Sequence, residues 1–316
     1  MRIVSSAKIK TALREDLEES FQHAEFRFFG NIDEARSSLP EADVLITYGE
    51  DLTAREIKEA KNLKWIMVIS AGMDLMPFEA IQDKGIMVTN ARGIHKKPMA
   101  EYTMAMILQY ARQASIVREN EERRRWDRKV TMTEINQQSI GILGPGAIGG
   151  EIARLAKAFG MKTMGYNRSG RPVEHVDHIY SDHQLDQLLR VSDYVVSVLP
   201  ATEETHNMAD RSFFQKMKET GVFINIGRGS TVKEEELIHA LDNGELAHAI
   251  LDVFKEEPLP EDHPFWEMEK VTVTPHLSGI SPQYHPRALE IFKRNLEVFL
   301  AGGEEYINSV DTSKGY

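Results

Sequence analysis

The amino-acid sequence predicts an α/β protein built as two doubly wound parallel-sheet domains. Two observations predict it. Short apolar runs alternate with helical stretches along almost the whole chain, and midway along it a glycine-rich turn joins an apolar run to an amphipathic helix. Such alternation implies parallel strands linked by crossover helices, with both sheet faces covered. Length agrees, because 316 residues exceed one ordinary core and suit two.

Composition narrows the function classes. Hydrophobic residues make up 41% and charged residues 28%, a globular balance. The formal net charge of -11, from 38 basic and 49 acidic side chains, disfavours nucleic acid and anionic membrane as partners. An anionic substrate would need a local cationic pocket. The chain has no cysteine, which excludes disulfides and thiolate metal sites and fits a reducing compartment; no metal site is expected. The first six residues are too short an apolar run for a signal peptide, and no window approaches the roughly 18 apolar residues of a membrane span. A soluble, cytoplasmic protein is expected.

Taken in order, residues 2–4, 26–29, 44–48, 64–69 and 86–89 read as strands, with helices at 7–20 and 53–61. Pro98 suits the first turn of a long helix over 99–119. Met104, Met106, Ile107, Leu108 and Tyr110 make that helix too apolar to stand alone, so either the core or a subunit interface covers it. Residues 121–125 form a solvated charge run. The second series has strands at 139–143, 162–166, 178–180, 194–199, 222–226, 248–253 and 271–273. Pro282 and Pro286 bracket a connector to a final helix over 288–300.

The turn Gly144-Pro145-Gly146-Ala147-Ile148-Gly149 lies between strand 139–143 and a helix, the context a dinucleotide fingerprint requires. Gly144 permits the tight turn, Gly146 leaves room for pyrophosphate, and Gly149 lets helix and strand approach. The amides near Ala147 and Ile148 face the phosphates. About eighteen residues beyond Gly149, where an NAD enzyme carries an acid for the ribose hydroxyls, stand Asn167, Arg168 and Ser169, with Arg171 behind. An acid there repels a 2′-phosphate and a guanidinium binds it, so NADP(H) is preferred, with NAD(H) the alternative.

Three ionisable residues follow the carboxyl ends of three strands: Arg228, Glu257 and His276. In an open α/β sheet those ends share one crevice. Reduction of a 2-keto acid needs a group for the carboxylate, a proton for the carbonyl oxygen and a hydride for the carbon. The planar fork of Arg228 suits the first, and the imidazole of His276 the second. Glu257, hydrogen-bonded to His276, would orient the ring. Taken singly, each also reads as a surface or capping residue.

The segments Gly144–Gly149, Ile226-Gly227-Arg228-Gly229-Ser230, Leu251-Asp252-Val253-Phe254 with Glu257-Pro258-Leu259, and Thr274-Pro275-His276 resemble those of the D-isomer-specific 2-hydroxyacid dehydrogenases. So do Ser70-Ala71-Gly72-Met73-Asp74, Asn90-Ala91-Arg92-Gly93, Leu199-Pro200-Ala201-Thr202 and Lys314-Gly315-Tyr316, in the family's order. The resemblance implies Arg228, Glu257 and His276 as the catalytic triad, Asp252 near the nicotinamide carboxamide, and Leu199, Pro200 and Thr205 along the cofactor channel. It implies the Ala71 and Gly72 amides, with Arg228, on the substrate carboxylate; Tyr48 either walls that pocket or packs. It also implies a Rossmann cofactor domain over 98–285 and a discontinuous, flavodoxin-like substrate domain over 1–97 and 286–316. A homodimer formed through 99–119 is the family habit.

The missing acid at Asn167 resembles the glyoxylate and hydroxypyruvate reductases, which favour NADPH. No regulatory domain is expected after Tyr316, which argues against a long phosphoglycerate dehydrogenase. Two rivals stand beside this reading: an NAD-linked member for a bulkier 2-keto acid, and a non-catalytic dinucleotide sensor of corepressor type.

Overall fold

A computed structural model describes residues 1–70, 73 and 75–313. The chain divides into two compact units, one of Met1–Ile94 joined by the chain from Ser281 onward, the other of His95–Ile280. Those boundaries precede the expected ones at 97/98 and 285/286. His95 caps the helix Lys96–Ala111 and its Nδ1 lies 3.3 Å from the Gly279 carbonyl, so it sits with the second unit. The last helix begins at Tyr284, which puts Pro286 inside its first turn rather than in a connector.

The first unit has strands β1 (Arg2–Ser5), β2 (Glu25–Phe28), β3 (Val44–Thr47), β4 (Trp65–Val68) and β5 (Met87–Asn90). They pair in parallel in the order β2-β1-β3-β4-β5, the flavodoxin-like arrangement. β3 and β4 are buried throughout because the pleat sends alternate apolar residues to two covered faces. Val4, Leu45, Ile66 and Val68 meet Ile57 and Ile81 on one face. Ile3, Val44, Ile46, Trp65 and Met67 meet Leu289, Phe292 and Leu296 of the last helix on the other. Trp65 stacks on Phe292 with centroids 5.2 Å apart. The helix expected over 7–20 begins at Thr11, because Ala7 and Ile9 are themselves buried in an extended lead-in.

The second unit has strands β6 (Ser139–Leu143), β7 (Lys162–Tyr166), β8 (His178–Tyr180), β9 (Tyr194–Ser197), β10 (Val222–Asn225), β11 (His248–Leu251) and β12 (Val271–Val273). Their order is β12-β11-β10-β9-β6-β7-β8, all parallel, which is the Rossmann order. Chain order reverses between β6 and β9. At such a switch point the loops leaving the two strands part to opposite faces, and a crevice opens at the carboxyl edge.

Ala100, Met104, Ile107 and Ala111 join Ile152, Ala153 and Ala156 in covering one face of this sheet. The helix expected over 99–119 is two helices, Lys96–Ala111 and Ala114–Glu122. The Thr133 amide takes the Ala111 carbonyl at 2.9 Å, and Gln113 turns left-handed at φ 54°, so the first helix ends there. The second helix buries none of its residues.

One half-buried titratable group gives this unit a pH dependence. The His248 ring lies 2.9 Å from Thr272 Oγ1 and 4.9 Å, centroid to centroid, from Tyr110. Burial lowers its pKa to about 4. The folded chain therefore keeps the ring neutral while the unfolded chain protonates it near the ordinary value of about 6.5. Stability is full above that value and is lost as pH falls to about 4, by about 3 kcal/mol. Denaturant titrations from neutrality to pH 4 should show a steeper slope in the native protein than in His248→Gln. Equal slopes in both would contradict this account.

Candidate active site

At the switch point, the wholly buried β6 turns through Gly144 into the helix Ala147–Ala158. Each glycine has its own reason. Gly144 has φ +81°, which glycine adopts without strain. A Cβ on Gly149 would lie 2.8 Å from the Gly144 carbonyl and 2.8 Å from Ile142 Cγ2, so only hydrogen lets the helix lie this close to β6. A Cβ on Gly146 would meet nothing within 4 Å, so open space faces the helix start. The first amides of that helix have no intrahelical acceptor. An open cradle before outward-pointing amides fits the pyrophosphate of a dinucleotide.

Where β7 ends, Asn167 Nδ2 donates to the Arg171 carbonyl at 3.0 Å, and Ser169 Oγ donates to Asn167 Oδ1 at 3.1 Å. The small loop is closed without a carboxylate of its own. Arg168 is exposed and pairs with Glu204 at 3.2 Å. Beyond β9, Thr205 Oγ1 donates to the Pro200 carbonyl at 2.6 Å, folding residues 200–205 into a tight loop. A Cβ on Gly227 would lie 2.6 Å from the Leu199 carbonyl, so the ends of β9 and β10 abut there.

The carboxyl ends of β10, β11 and β12 carry the three ionisable residues. Buried Asn225 accepts from the Gly227 amide at 3.1 Å and donates to the Arg228 carbonyl at 3.0 Å, turning the exposed Arg228 side chain away from the core. Gly229 passes directly beneath the next loop, where a Cβ would stand 1.9 Å from the Phe254 carbonyl carbon. The Phe254 amide donates to Glu257 Oε1 at 3.0 Å, and Glu257 Oε2 lies 2.7 Å from His276 Nδ1. Arg228 is thus tied through Gly229 and Phe254 to the Glu257–His276 pair. With a carboxylate on Nδ1, that nitrogen holds the proton and Nε2 is left to exchange one.

His276 sits at φ +50°, strained for a residue with a Cβ. Asp252 holds it there. This carboxylate is fully buried and accepts from Thr274 Oγ1 (2.6 Å), the Leu277 amide (2.9 Å) and the Ser278 amide (2.9 Å), while its own carbonyl accepts from the His276 amide (2.9 Å).

A family model for the NAD-binding domain of the D-isomer specific 2-hydroxyacid dehydrogenases matches residues 104–278. The chain belongs to the D-isomer specific 2-hydroxyacid dehydrogenase family. It is 34% identical to a glyoxylate reductase of Aeropyrum pernix over 276 residues, covering 84% of this chain and 82% of that protein. A solved D-isomer specific 2-hydroxyacid dehydrogenase family protein from Aeromonas salmonicida superposes with TM-score 0.87 at 32% identity, over 98% of this chain and 99% of the other. An NADPH-dependent glyoxylate/hydroxypyruvate reductase from Sinorhizobium meliloti, solved with NADP and sulfate, superposes at 0.80 with 27% identity, over 100% and 99%. This protein is an NAD(P)-dependent D-2-hydroxyacid dehydrogenase.

In the first unit of this 2-hydroxyacid dehydrogenase, Tyr48 follows β3, and its hydroxyl lies 2.9 Å from His285 Nε2. Burial raises the Tyr48 pKa and lowers that of His285. The expected contacts at Ala71 and Gly72 lie outside the described residues, as do Asp74 and residues 314–316. No described helix is long and apolar enough to cross a membrane, and no metal-binding group of His, Asp and Glu occurs among the described residues. Sequence reading missed Asn225, Tyr102 and His285. Asn225 carried a signal, a polar residue ending an otherwise apolar strand; the other two are brought to their partners only by the fold.

Proposed function

We propose that this dehydrogenase reduces glyoxylate, hydroxypyruvate or a 2-keto acid of similar size to the D-2-hydroxy acid, with NADPH as preferred cofactor. The 2.7 Å contact between His276 Nδ1 and Glu257 carries the reading, because it orients the ring for proton exchange at Nε2. The reduced nicotinamide supplies the hydride when bound. Arg228 holds the substrate carboxylate and polarises the carbonyl. His276 gives its proton to the carbonyl oxygen, and Glu257 steadies the imidazolium before that transfer. In the oxidative direction His276 takes the proton back. Gly144, Gly146, Gly149 and the amides of Ala147 and Ile148 receive the pyrophosphate, with Leu199, Pro200, Thr205 and Asp252 beside the rest of the cofactor.

The first unit serves as the substrate domain, with Tyr48, Ala71 and Gly72 at the pocket, and the second as the cofactor domain. The protein acts as a cytoplasmic homodimer. The exposed helix Ala114–Glu122 and the 93% exposed Trp126 beyond it support a second copy as partner.

The NADPH preference rests on Asn167, Arg168 and Ser169, where no acid opposes a 2′-phosphate. Arg168 would exchange its exposed partner Glu204 for the phosphate, and such an exposed pair is worth little. Arg168→Ala should raise the KM for NADPH roughly ten- to a hundredfold, about 1.4–2.8 kcal/mol, and leave NADH nearly unaffected. Steady-state kinetics with both cofactors on glyoxylate and hydroxypyruvate checks this, and equal losses with both would defeat it. Native preference for NADH and a bulkier keto acid would favour the NAD-linked alternative.

A further inference from the structure

We propose that Tyr102 is a positioning residue for the reaction: through Thr274 and Asp252, its hydroxyl sets the turn that carries His276. The inference rests on the reading of His276 as proton donor. Tyr102 belongs to the helix Lys96–Ala111, more than 170 residues from the turn it touches, and its Oη lies 2.6 Å from Thr274 Oγ1. Counting protons fixes the direction of the bonds. Thr274 Oγ1 is 2.6 Å from Asp252 Oδ1, and a carboxylate only accepts, so the single threonine hydroxyl hydrogen goes there. Tyr102 is then the donor to Thr274. Burial raises its pKa to about 12, which keeps that hydrogen in place at neutral pH.

The chain ends where the chemistry begins. Asp252 takes three donors from Thr274, Leu277 and Ser278, and its carbonyl takes the His276 amide, so one buried residue grips both sides of the left-handed His276. Pro275, His276 and Leu277 are exposed, and packing does not hold them. Tyr102 supplies the rigidity from below, because Ala100, Thr103 and Met104 anchor its helix in the core. With the phenol hydroxyl gone, Thr274 Oγ1 loses a donor and its orientation is set from one side only.

The test uses the full-length protein with NADPH and hydroxypyruvate, comparing Tyr102→Phe, Thr274→Val, Thr274→Ser, the Tyr102→Phe/Thr274→Val double variant and His276→Ala. Tyr102→Phe and Thr274→Val should each lower kcat roughly five- to thirtyfold, less than the hundredfold that a 1 Å misplacement causes, without weakening NADPH binding. Thr274→Ser should recover most of the loss. The double variant should be no slower than Thr274→Val alone, because the phenol then has nothing left to orient. Wild-type turnover in well-folded Tyr102→Phe, additive losses in the double variant, or losses confined to cofactor binding would each overturn the inference. If Tyr102→Phe folds poorly, Tyr102→Met, which also lacks the hydroxyl, replaces it in the same comparison with the same expected and contrary results. Full activity in His276→Ala would overturn instead the reading of His276 on which this depends.

Discussion

Replacing His276 by alanine is expected to lower kcat by about 10²–10⁴-fold, the range for a positioned acid–base group. The size follows from how fully the ring is prepared. Glu257 is held by the Phe254 amide on one oxygen and meets His276 Nδ1 with the other. The Asp252 contacts hold the backbone at φ +50°. Alanine would remove the proposed proton donor and leave Glu257 Oε2 without the His276 contact, yet touches neither the glycine turn nor the Asn167 loop. Turnover should therefore fall while NADPH binding, followed by fluorescence, stays as it was. Unchanged turnover would mean that another group supplies the proton.

A comparable loss, by a different route, is expected from Gly229→Ala. An added Cβ would stand 1.9 Å from the Phe254 carbonyl carbon, 2.0 Å from its oxygen and 2.5 Å from the Lys255 nitrogen. These are backbone atoms, so no side-chain rotation relieves the clash. The loop after β10 must part from the loop after β11, separating Arg228 from Glu257. Overpacking of about 1–3 kcal/mol should lower the melting temperature by roughly 2–12 °C, and turnover should fall with it. Gly146→Ala is the contrasting case. Its Cβ meets nothing within 4 Å, so thermal stability should hold while cofactor binding weakens. Calorimetry and cofactor titration on the two variants distinguish these signatures; equal melting temperatures for Gly229→Ala and the native protein would contradict the packing argument.

Much of the fold could be read before the structure, and the exceptions have physical causes. β6, β7, β8 and β12 lie where their apolar runs placed them, and for β6, buried along its whole length, the covered faces set those limits. The break after Ala111 was not legible, since Thr133, far along the chain, takes the carbonyl that would have continued the helix. Pro286 looked like a boundary because proline ends many helices, yet it is tolerated equally well in a first turn. In the site, the glycine turn was readable because its demands are local. The Tyr102–Thr274 and Tyr48–His285 contacts were not, because tertiary packing alone makes neighbours of residues so distant in sequence. Asp252 was assigned to the cofactor by resemblance, and its visible work is to grip the turn bearing His276.

The most direct test of the hydride-transfer account is to mix the protein with NADPH labelled by deuterium on the transferred position, add hydroxypyruvate or glyoxylate, and follow reduced-nicotinamide absorbance while analysing the product. The account predicts steady loss of absorbance and deuterium at C2 of the hydroxy acid, with hydroxypyruvate giving the D-isomer. A flat trace across a panel of 2-keto acids, with the cofactor bound, would contradict it.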